Sequence, residues 1–455
     1  MTALKVPTRT APRNYGRTRD RLMLVLLSLT MLLPAAASAQ AKGAKSFIQI
    51  VGGSKSTLPL ALPQPRAGNG TDTAITSEIW DVIRSDLEHA GYFAIIKPEA
   101  YIEDATAGIA PGEFDFDNWR LPGAVGLAKM RCIRSGPDLS IELYVYDVDA
   151  GVQMLGRRIS GRPDDLRRLA HRTAGAIVEA FTGVPGDFDT RIAAVADFGQ
   201  GKEIYTFDYD GANPRPVSRN GSLNLAPSWS RDGTRIAYTS YRDNNPDLWT
   251  TDLRTGRHAK ISGRAGINVG ATWAPDDQSL VLTLSKDGDS ELYSLDDKGS
   301  ILSRLTRQWG IDVSPAFSPD GKQIAFASSR NGNPQIFVMD SDGSNVRRIT
   351  HLGGHNVSPS FSPDGTQIAF AGRDEGRFDI FIINIDGTGL RRLTQSNADD
   401  EDPSFSPSGS HILFSSTRDG HAKQLYVMTT DGNHTSRVST ANASLSNPRW
   451  GPRIP

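Results

Sequence analysis

Hydrophobic positions in the second half of the chain fall into short alternating runs that recur at a fixed interval. Five segments of one kind begin at Pro227, Ala271, Pro315, Pro359 and Pro403. They carry an aromatic residue at Trp229, Trp273, Phe317, Phe361 and Phe405, each 44 residues after the last, and Trp450 follows 45 residues later. A second apolar pair keeps the same beat at Ile204-Tyr205, Leu248-Trp249, Leu292-Tyr293, Ile336-Phe337, Ile380-Phe381 and Leu425-Tyr426. Each unit predicts four strands. In the unit around Phe317, the aromatic strand ends in Ser318-Pro319-Asp320-Gly321, where Pro presets φ and Gly accepts a positive φ, so the chain reverses. Strands over 323–327, 335–339 and 346–350 follow. A unit of this size cannot bury both faces of its sheet alone, whereas radial stacking of such units can. Four strands per unit at this period predict an all-β propeller.

The phase of the repeat predicts how the ring closes. The last unit has its first strand around Trp450 and nothing beyond it, while Arg191–Val195 matches Arg235–Thr239 and Glu203–Phe207 supplies the next strand. Six blades are therefore expected, the last built from both ends of the domain, which removes two free sheet edges. In this topology the Ser-Pro-Asp-Gly and Asp-Gly turns share one face. Longer, varied loops share the other. One set of these carries a basic residue in five blades (Arg242, Lys286, Arg330, Arg373, Arg418). A second set, before each first strand, carries Asn224, Asn268, Asp312, Asn356 and the acidic run Asp399–Asp402. Loops on a rigid scaffold usually carry binding, so this rim is the expected recognition face, with Arg242, Arg330, Asp400 and Asp402 among its charges.

Residues 40–185 show no repeat and read as α/β. One amphipathic helix runs through Ile75, Ile79, Val82, Ile83 and Leu87 to Gly91. A second opens at Pro163-Asp164, presents Leu169, Ala170, Ala174, Ile177, Val178 and Phe181 on one face, and stops near Gly183. Between them, 139–145 alternates as a half-buried strand. The expected division is a leader over 1–39, a flexible segment over 40–70, an α/β domain over 71–185 and the propeller over 186–455. The leader has a basic start, an apolar run over 22–33 and the small-x-small site Ala37-Ser38-Ala39, which predicts a Sec signal peptide cleaved between Ala39 and Gln40. The apolar run is too short for a bilayer span. Residues 1–39 carry six basic side chains and one acidic, so their removal takes the formal charge from −1 to −6. That mildly acidic balance predicts no nucleic-acid partner. Cys132, the one cysteine, reads as a buried, inert thiol.

Candidate chemistry changes this picture little. The eight histidines are scattered along the chain. There is no His-Glu-x-x-His, cysteine pair, phosphate-cradling glycine loop or Gly-x-Ser-x-Gly elbow. The run Asp399–Asp402 lacks EF-hand spacing and reads as an acidic rim before it reads as a Ca²⁺ site. No catalytic residue, metal or cofactor is expected.

The units of the form Pro-Ser-Phe-Ser-Pro-Asp-Gly-x-x-Ile-Ala-Phe resemble propeller repeats shared by the TolB family and by propellers of prolyl-oligopeptidase-like peptidases. The join between the domains resembles TolB: His171–Ile177, then Phe181-Thr-Gly-Val-Pro-Gly-Asp-Phe-Asp-Thr-Arg-Ile192, with Phe181 where that family usually has Leu. Residues 77–93 are similar to the family's first-domain helix. The resemblance implies a non-enzymatic periplasmic adaptor of the Tol–Pal system, supporting outer-membrane constriction during division and envelope integrity. It implies a monomer within a multiprotein envelope complex, with other outer-membrane proteins as further candidate partners. The peptidoglycan-associated lipoprotein Pal would bind the propeller rim, including Asn224, Ala226, Asn268, Gly270, Asp312, Ser314, Asn356 and Ser358. TolA would bind the N-terminal segment through Phe47, Ile48, Ile50 and Val51, although Lys42 and Lys45 make that segment more basic than the family pattern. Two other readings are an exported propeller holding a small ligand in its channel and the accessory propeller of a hydrolase. With five residues beyond Trp450, no catalytic domain is expected after the ring.

Overall fold

The computed structural model describes residues 57–104, 106–374, 376–438 and 443–453. The expected leader, its cleavage site at Ala39 and Gln40, and Phe47, Ile48, Ile50 and Val51 lie outside these residues. Among the described residues no helix is long and apolar enough to cross a membrane.

The first domain sets helices against a mixed sheet. Its strands are β1 (Leu58–Ala61), β2 (Arg66–Ala67), β3 (Phe93–Ile95), β4 (Gly126–Ser135), β5 (Asp138–Asp147) and β6 (Val152–Gly161), ordered β3-β1-β4-β5-β6 with β2 also on β4. Helix α1 (Thr73–His89) starts because Asp72 accepts a hydrogen bond from the Ile75 amide, 2.9 Å away. Such a cap satisfies one of the donors left open at a helix start. The next helices are α2 (Asp117–Arg120) and α3 (Leu166–Thr182). The last of these ends at Gly183, whose φ of 75° suits a residue without a Cβ. Along β5 burial alternates, as the 139–145 pattern predicts. Cys132, in β4, is fully buried, and burial pushes its thiol pKa up to about 12, so it stays protonated and inert.

The rest of the described chain is a six-bladed β-propeller. The inner strands are Asn224–Trp229, Asn268–Trp273, Asp312–Phe317, His355–Phe361, Asp400–Phe405 and Ser444–Trp450, which lead blades one to six. In blades one to five the remaining strands follow in chain order. Blade six pairs Ser444–Trp450 with Arg191–Asp197, followed by Lys202–Asp208 and Arg215–Pro216, so both ends of the domain complete it. The outer strand of blade three is shorter than expected: Arg347–Arg348 are in the ladder rather than 346–350. Ile349 leaves the ladder to be buried between blades, while Val346 remains exposed.

The repeated turns follow from their chemistry. In blade three, Ser318 Oγ donates to Asp320 Oδ1 at 2.6 Å and accepts from the Gln323 amide at 2.9 Å. The Asp-Gly turns serve packing between blades. A Cβ on Gly343 would stand 2.6 Å from the Leu305 carbonyl oxygen of the preceding blade, and one on Gly299 would stand 1.9 Å from that of Ile261. Glycine is thus needed there for close approach as well as for a φ of 91° at Gly343 and 94° at Gly299.

The two domains share one apolar core, in which Ile79, Ile83, Leu87, Phe93, Ile177 and Phe181 are continuous with Leu413, Leu425, Val427, Leu445 and Trp450. The contact lies on the short-turn face of blades five and six. Asp187 accepts hydrogen bonds from the Ser408 amide (3.0 Å) and hydroxyl, and His411 Nε2 donates to the Ala90 carbonyl at 3.1 Å. A buried polar group crosses the same seam. Asp86 of α1 accepts from His171 Nδ1 of α3 at 2.8 Å and from the Tyr209 hydroxyl of blade six at 2.6 Å. Arg167 and Asp210 pair beside it.

Burial opposes the charge on His171, but the Asp86 carboxylate beside it outweighs burial and holds its pKa above the ordinary 6.5. For Asp86 burial prevails over its partners and raises the carboxyl above 3.8. Both shifts have the same sign in stability. A raised histidine contributes fully below about pH 6.5 and loses that contribution as pH rises through its folded value, and the raised carboxyl acts in the same direction from about pH 4 upward.

Gly343→Ala should destabilise the protein by about 2 kcal/mol or more. Gly332→Ala, also at positive φ but with nothing within 4 Å of its Cβ, should cost about 1 kcal/mol. Chemical denaturation measures both, and equal losses would refute the inter-blade contact. For the seam, the melting-temperature advantage of the wild type over His171→Gln should be largest near pH 6 and shrink as pH rises past about 7. An advantage that grows with pH would show that His171 is not held as a cation. Asp86→Ala should cost about 3 kcal/mol, since it leaves a buried partner uncompensated.

Candidate functional site

With the first domain on the short-turn face, no other described element covers the long-loop face of the ring. The inner strands pack against one another around the ring axis, and each carries a bulge where its register with the second strand shifts. At each bulge one residue takes a left-handed conformation: Ala226, Gly270, Ser314, Ser358, Asp402 and Asn447, with φ between 46° and 64°. Only one of the six is glycine. The recurrence of this conformation at five non-glycine positions shows that the packing of the inner strands holds it against its local cost. These residues are partly exposed, and each lies within its inner strand. Ser358 Oγ donates to Asp402 Oδ1 at 2.9 Å, and Asn447 Nδ2 donates to Asp402 Oδ2 at 2.8 Å, so neighbouring bulges are tied together.

The polar residues heading the inner strands play a different part from the one expected. Asn224, Asn268, Asp312, Asn356 and Asp400 are buried. Each holds a neighbouring loop. Asn268 accepts from the Arg264 amide (3.1 Å) and donates to the Arg264 carbonyl (2.8 Å), while Asn356 Nδ2 donates to the Leu352 carbonyl at 2.8 Å and to Gln335 Oε1 at 2.9 Å. Asn224 Nδ2 donates to the Lys202 carbonyl at 2.9 Å. Asp312 pairs with Arg330 at 2.9 Å and Asp400 with Arg418 at 3.0 Å. Their side chains shape the rim from inside and offer no free group to a partner. A buried carboxylate next to the loops needs such a cation, because an unpaired buried charge is strongly unfavourable.

The recurring basic residues have a shared structural explanation. The Arg242 guanidinium lies 4.0 Å from the Trp249 ring centre, Lys286 Nζ 5.1 Å from Tyr293, Arg330 5.0 Å from Phe337, Arg373 4.5 Å from Phe378 and Arg418 4.5 Å from Tyr426. Each cation caps the aromatic ring of the third strand at the top of its blade. Arg242 also donates to the Tyr238 hydroxyl at 2.7 Å.

The acidic run is committed as well. Asp399 accepts from the Phe378 amide at 3.1 Å, Asp400 holds Arg418, Glu401 pairs with Lys423, and Asp402 joins Ser358 and Asn447. Across the seam, Asp86, His171 and Asp210 bring one ligand atom each within 4.8 Å of one another, a spacing open to a metal ion. However, both Asp86 oxygens already accept hydrogen bonds and Asp210 holds Arg167. This donor set works as a latch between domains. Sequence reasoning missed the bulge at Asn447, which the 45-residue last interval displaces by one position. It also missed Trp309, Ile311 and Leu352, which are 88%, 55% and 70% exposed in loops of the free face. Their signal was available as apolar side chains in otherwise polar loops.

Comparison with known proteins agrees with this architecture. The family model described as the TolB beta propeller domain matches residues 178–453, and that of the TolB amino-terminal domain matches residues 46–154. The chain is similar to the Tol-Pal system protein TolB of Desulfosudis oleivorans, with 38% identity over 227 residues, 49% of this chain and 51% of that one. It is similar to the protein of the same name from Geobacter metallireducens, with 41% identity over 217 residues, 48% of this chain and 49% of that one. The matches thus span about half the length of these curated relatives. Among solved structures, the crystal structure of TolB from Acinetobacter baumannii superposes with a TM-score of 0.78 at 28% identity, covering 87% of this chain and 97% of the other. Because the propeller match alone takes in more than half of the residues, the chain belongs to the TolB family.

Proposed function

We propose that the protein is a non-enzymatic, periplasmic component of the Tol–Pal system that binds Pal through the long-loop face of its propeller. In this reading an N-terminal segment engages TolA, and the complex supports outer-membrane constriction during division and envelope integrity. The observation that carries it is the division of faces. The first domain occupies the short-turn face through a shared apolar core, while among the described residues the opposite face keeps its bulges partly exposed and its loops uncovered. A folded partner docked there would meet preorganised backbone, which limits the entropy lost on binding. The curated relatives carry the name of the same system.

Partner contact is assigned to the partly exposed bulge residues Ala226, Gly270, Ser314, Ser358 and Asp402. The buried heads Asn224, Asn268, Asp312, Asn356 and Asp400 act as their support. Arg242 and Arg330 hold the loop shape beside them.

The test is calorimetry of the chain from residue 40 with the soluble Pal domain. One-to-one binding is expected, and the double change Ser314→Arg with Ser358→Arg should weaken it by about tenfold or more, with a cooperative melting transition retained. No complex at high micromolar concentration would remove the adaptor reading. Binding indifferent to both changes would remove the bulge residues from the interface.

A further inference from the structure

The loop between the third blade and its predecessor exposes two large apolar side chains, Trp309 at 88% and Ile311 at 55%, and the corresponding loop of the fourth blade exposes Leu352 at 70%. These are not loose tips. The Ile311 amide donates to Ser329 Oγ at 2.8 Å, and the Ser329 amide donates back to the Ile311 carbonyl at 3.0 Å. On the other side, Gln335 Nε2 donates to the Gly353 carbonyl at 3.1 Å, and the Asn356 amide to the Pro334 carbonyl at 2.9 Å. Loops 305–311 and 351–354 therefore both attach to the turn 329–334, and the three form one continuous stretch of the free face.

The charge of that stretch is one-sided. Segments 305–311, 329–334 and 351–354 contain Arg307, Arg330 and His351 and no carboxylate. Arg330 is taken up by Asp312. Arg307 and His351 are exposed, and their side chains make no hydrogen bond or ion pair among the described residues. The next turn around the ring, 285–290, carries Asp287 and Asp289. Asp287 is held by Lys286 at 2.7 Å and by Tyr293 at 2.5 Å, and this turn marks one edge of the cationic area. An exposed tryptophan costs free energy in water with no return to the fold, and tryptophan is enriched among the few residues that dominate protein interfaces.

We propose that Trp309, backed by Ile311 and Leu352, is the apolar anchor of the protein–protein interface, and that the partner surface it meets is apolar at its centre with carboxylates around it, facing Arg307 and His351. This rests on the adaptor reading above and names the energetic centre of the same face. A rim cation such as Arg307 speeds association and sets orientation, His351 offers a ring nitrogen for hydrogen bonding beside it, and the buried anchor holds the complex.

The experiment is titration of the chain from residue 40 with the soluble Pal domain, using the wild type, Trp309→Ala, Ile311→Ser with Leu352→Ser, and Arg307→Glu with His351→Glu. Trp309→Ala is expected to weaken binding by about 30-fold, and the charge reversal to slow association several-fold and flatten its salt dependence. All four melting temperatures should agree, since these side chains contribute little to the core. Wild-type binding with Trp309→Ala within twofold of it overturns the anchor and leaves the adaptor reading standing. No wild-type binding removes the adaptor reading and the anchor with it. Two further outcomes also overturn the proposal: Trp309-dependent sedimentation with anionic phospholipid vesicles while protein binding is unchanged, and Trp309-dependent self-association in sedimentation velocity.

Discussion

A ring of sheets loses its free edges only when the last sheet is completed, and here completion falls to backbone hydrogen bonds between Ser444–Trp450 and Arg191–Asp197. Those two strands are separated by nearly the whole domain, so loop closure sets a large entropic cost before any of their contacts form. The side chains around the seam offset it. Trp450 is buried, its indole donates to Thr190 Oγ1 at 2.8 Å, and its amide donates to Ser404 Oγ at 2.9 Å. Arg453 then reaches back to Asp187 at 2.8 Å. With the ring closed, every blade has a neighbour on both faces, and the inner strands are held firmly enough to keep five non-glycine residues left-handed.

The first domain depends on the same closure. It packs on blades five and six, the second of which exists only after the ends have met, and its core is continuous with theirs. The latch of Asp86, His171 and Tyr209 joins α1, α3 and blade six, adding direction to an otherwise apolar contact. Closure thus determines which face of the ring the first domain covers.

Much of this architecture could be read from the repeat, because a period of 44 residues with Pro-led aromatics and Asp-Gly turns constrains strand count, turn placement and the split last blade together. The site was less legible for a physical reason. Asn268 and Asn356 look like exposed loop residues in sequence, since nothing in one chain marks whether an amide faces water or bonds its own loop. Only their burial shows the second case. The recurring Arg242, Arg330 and Arg418 gave a true periodic signal, but periodicity reports what every blade needs, which here is a cap over its third-strand aromatic ring. A side chain that serves one blade alone breaks the repeat, and Trp309 does so, falling at a position where the next blade has Gly353. The Asp86–His171 pair, 85 residues apart in the chain, joins helices that sequence could place individually but not against each other.

The route by which the chain enters the ring has a mechanical consequence. Helix α3 passes through Phe188 and Thr190 directly into Arg191–Asp197, the strand held on one side by Ser444–Trp450 and on the other by Lys202–Asp208. Once the contact between the domains gives way, tension applied upstream of residue 191 passes along that strand, where antiparallel hydrogen bonds on both edges resist it together. A protein stretched between two partners, one at each end of its mass, would load two ladders at once rather than peel a blade from the rim.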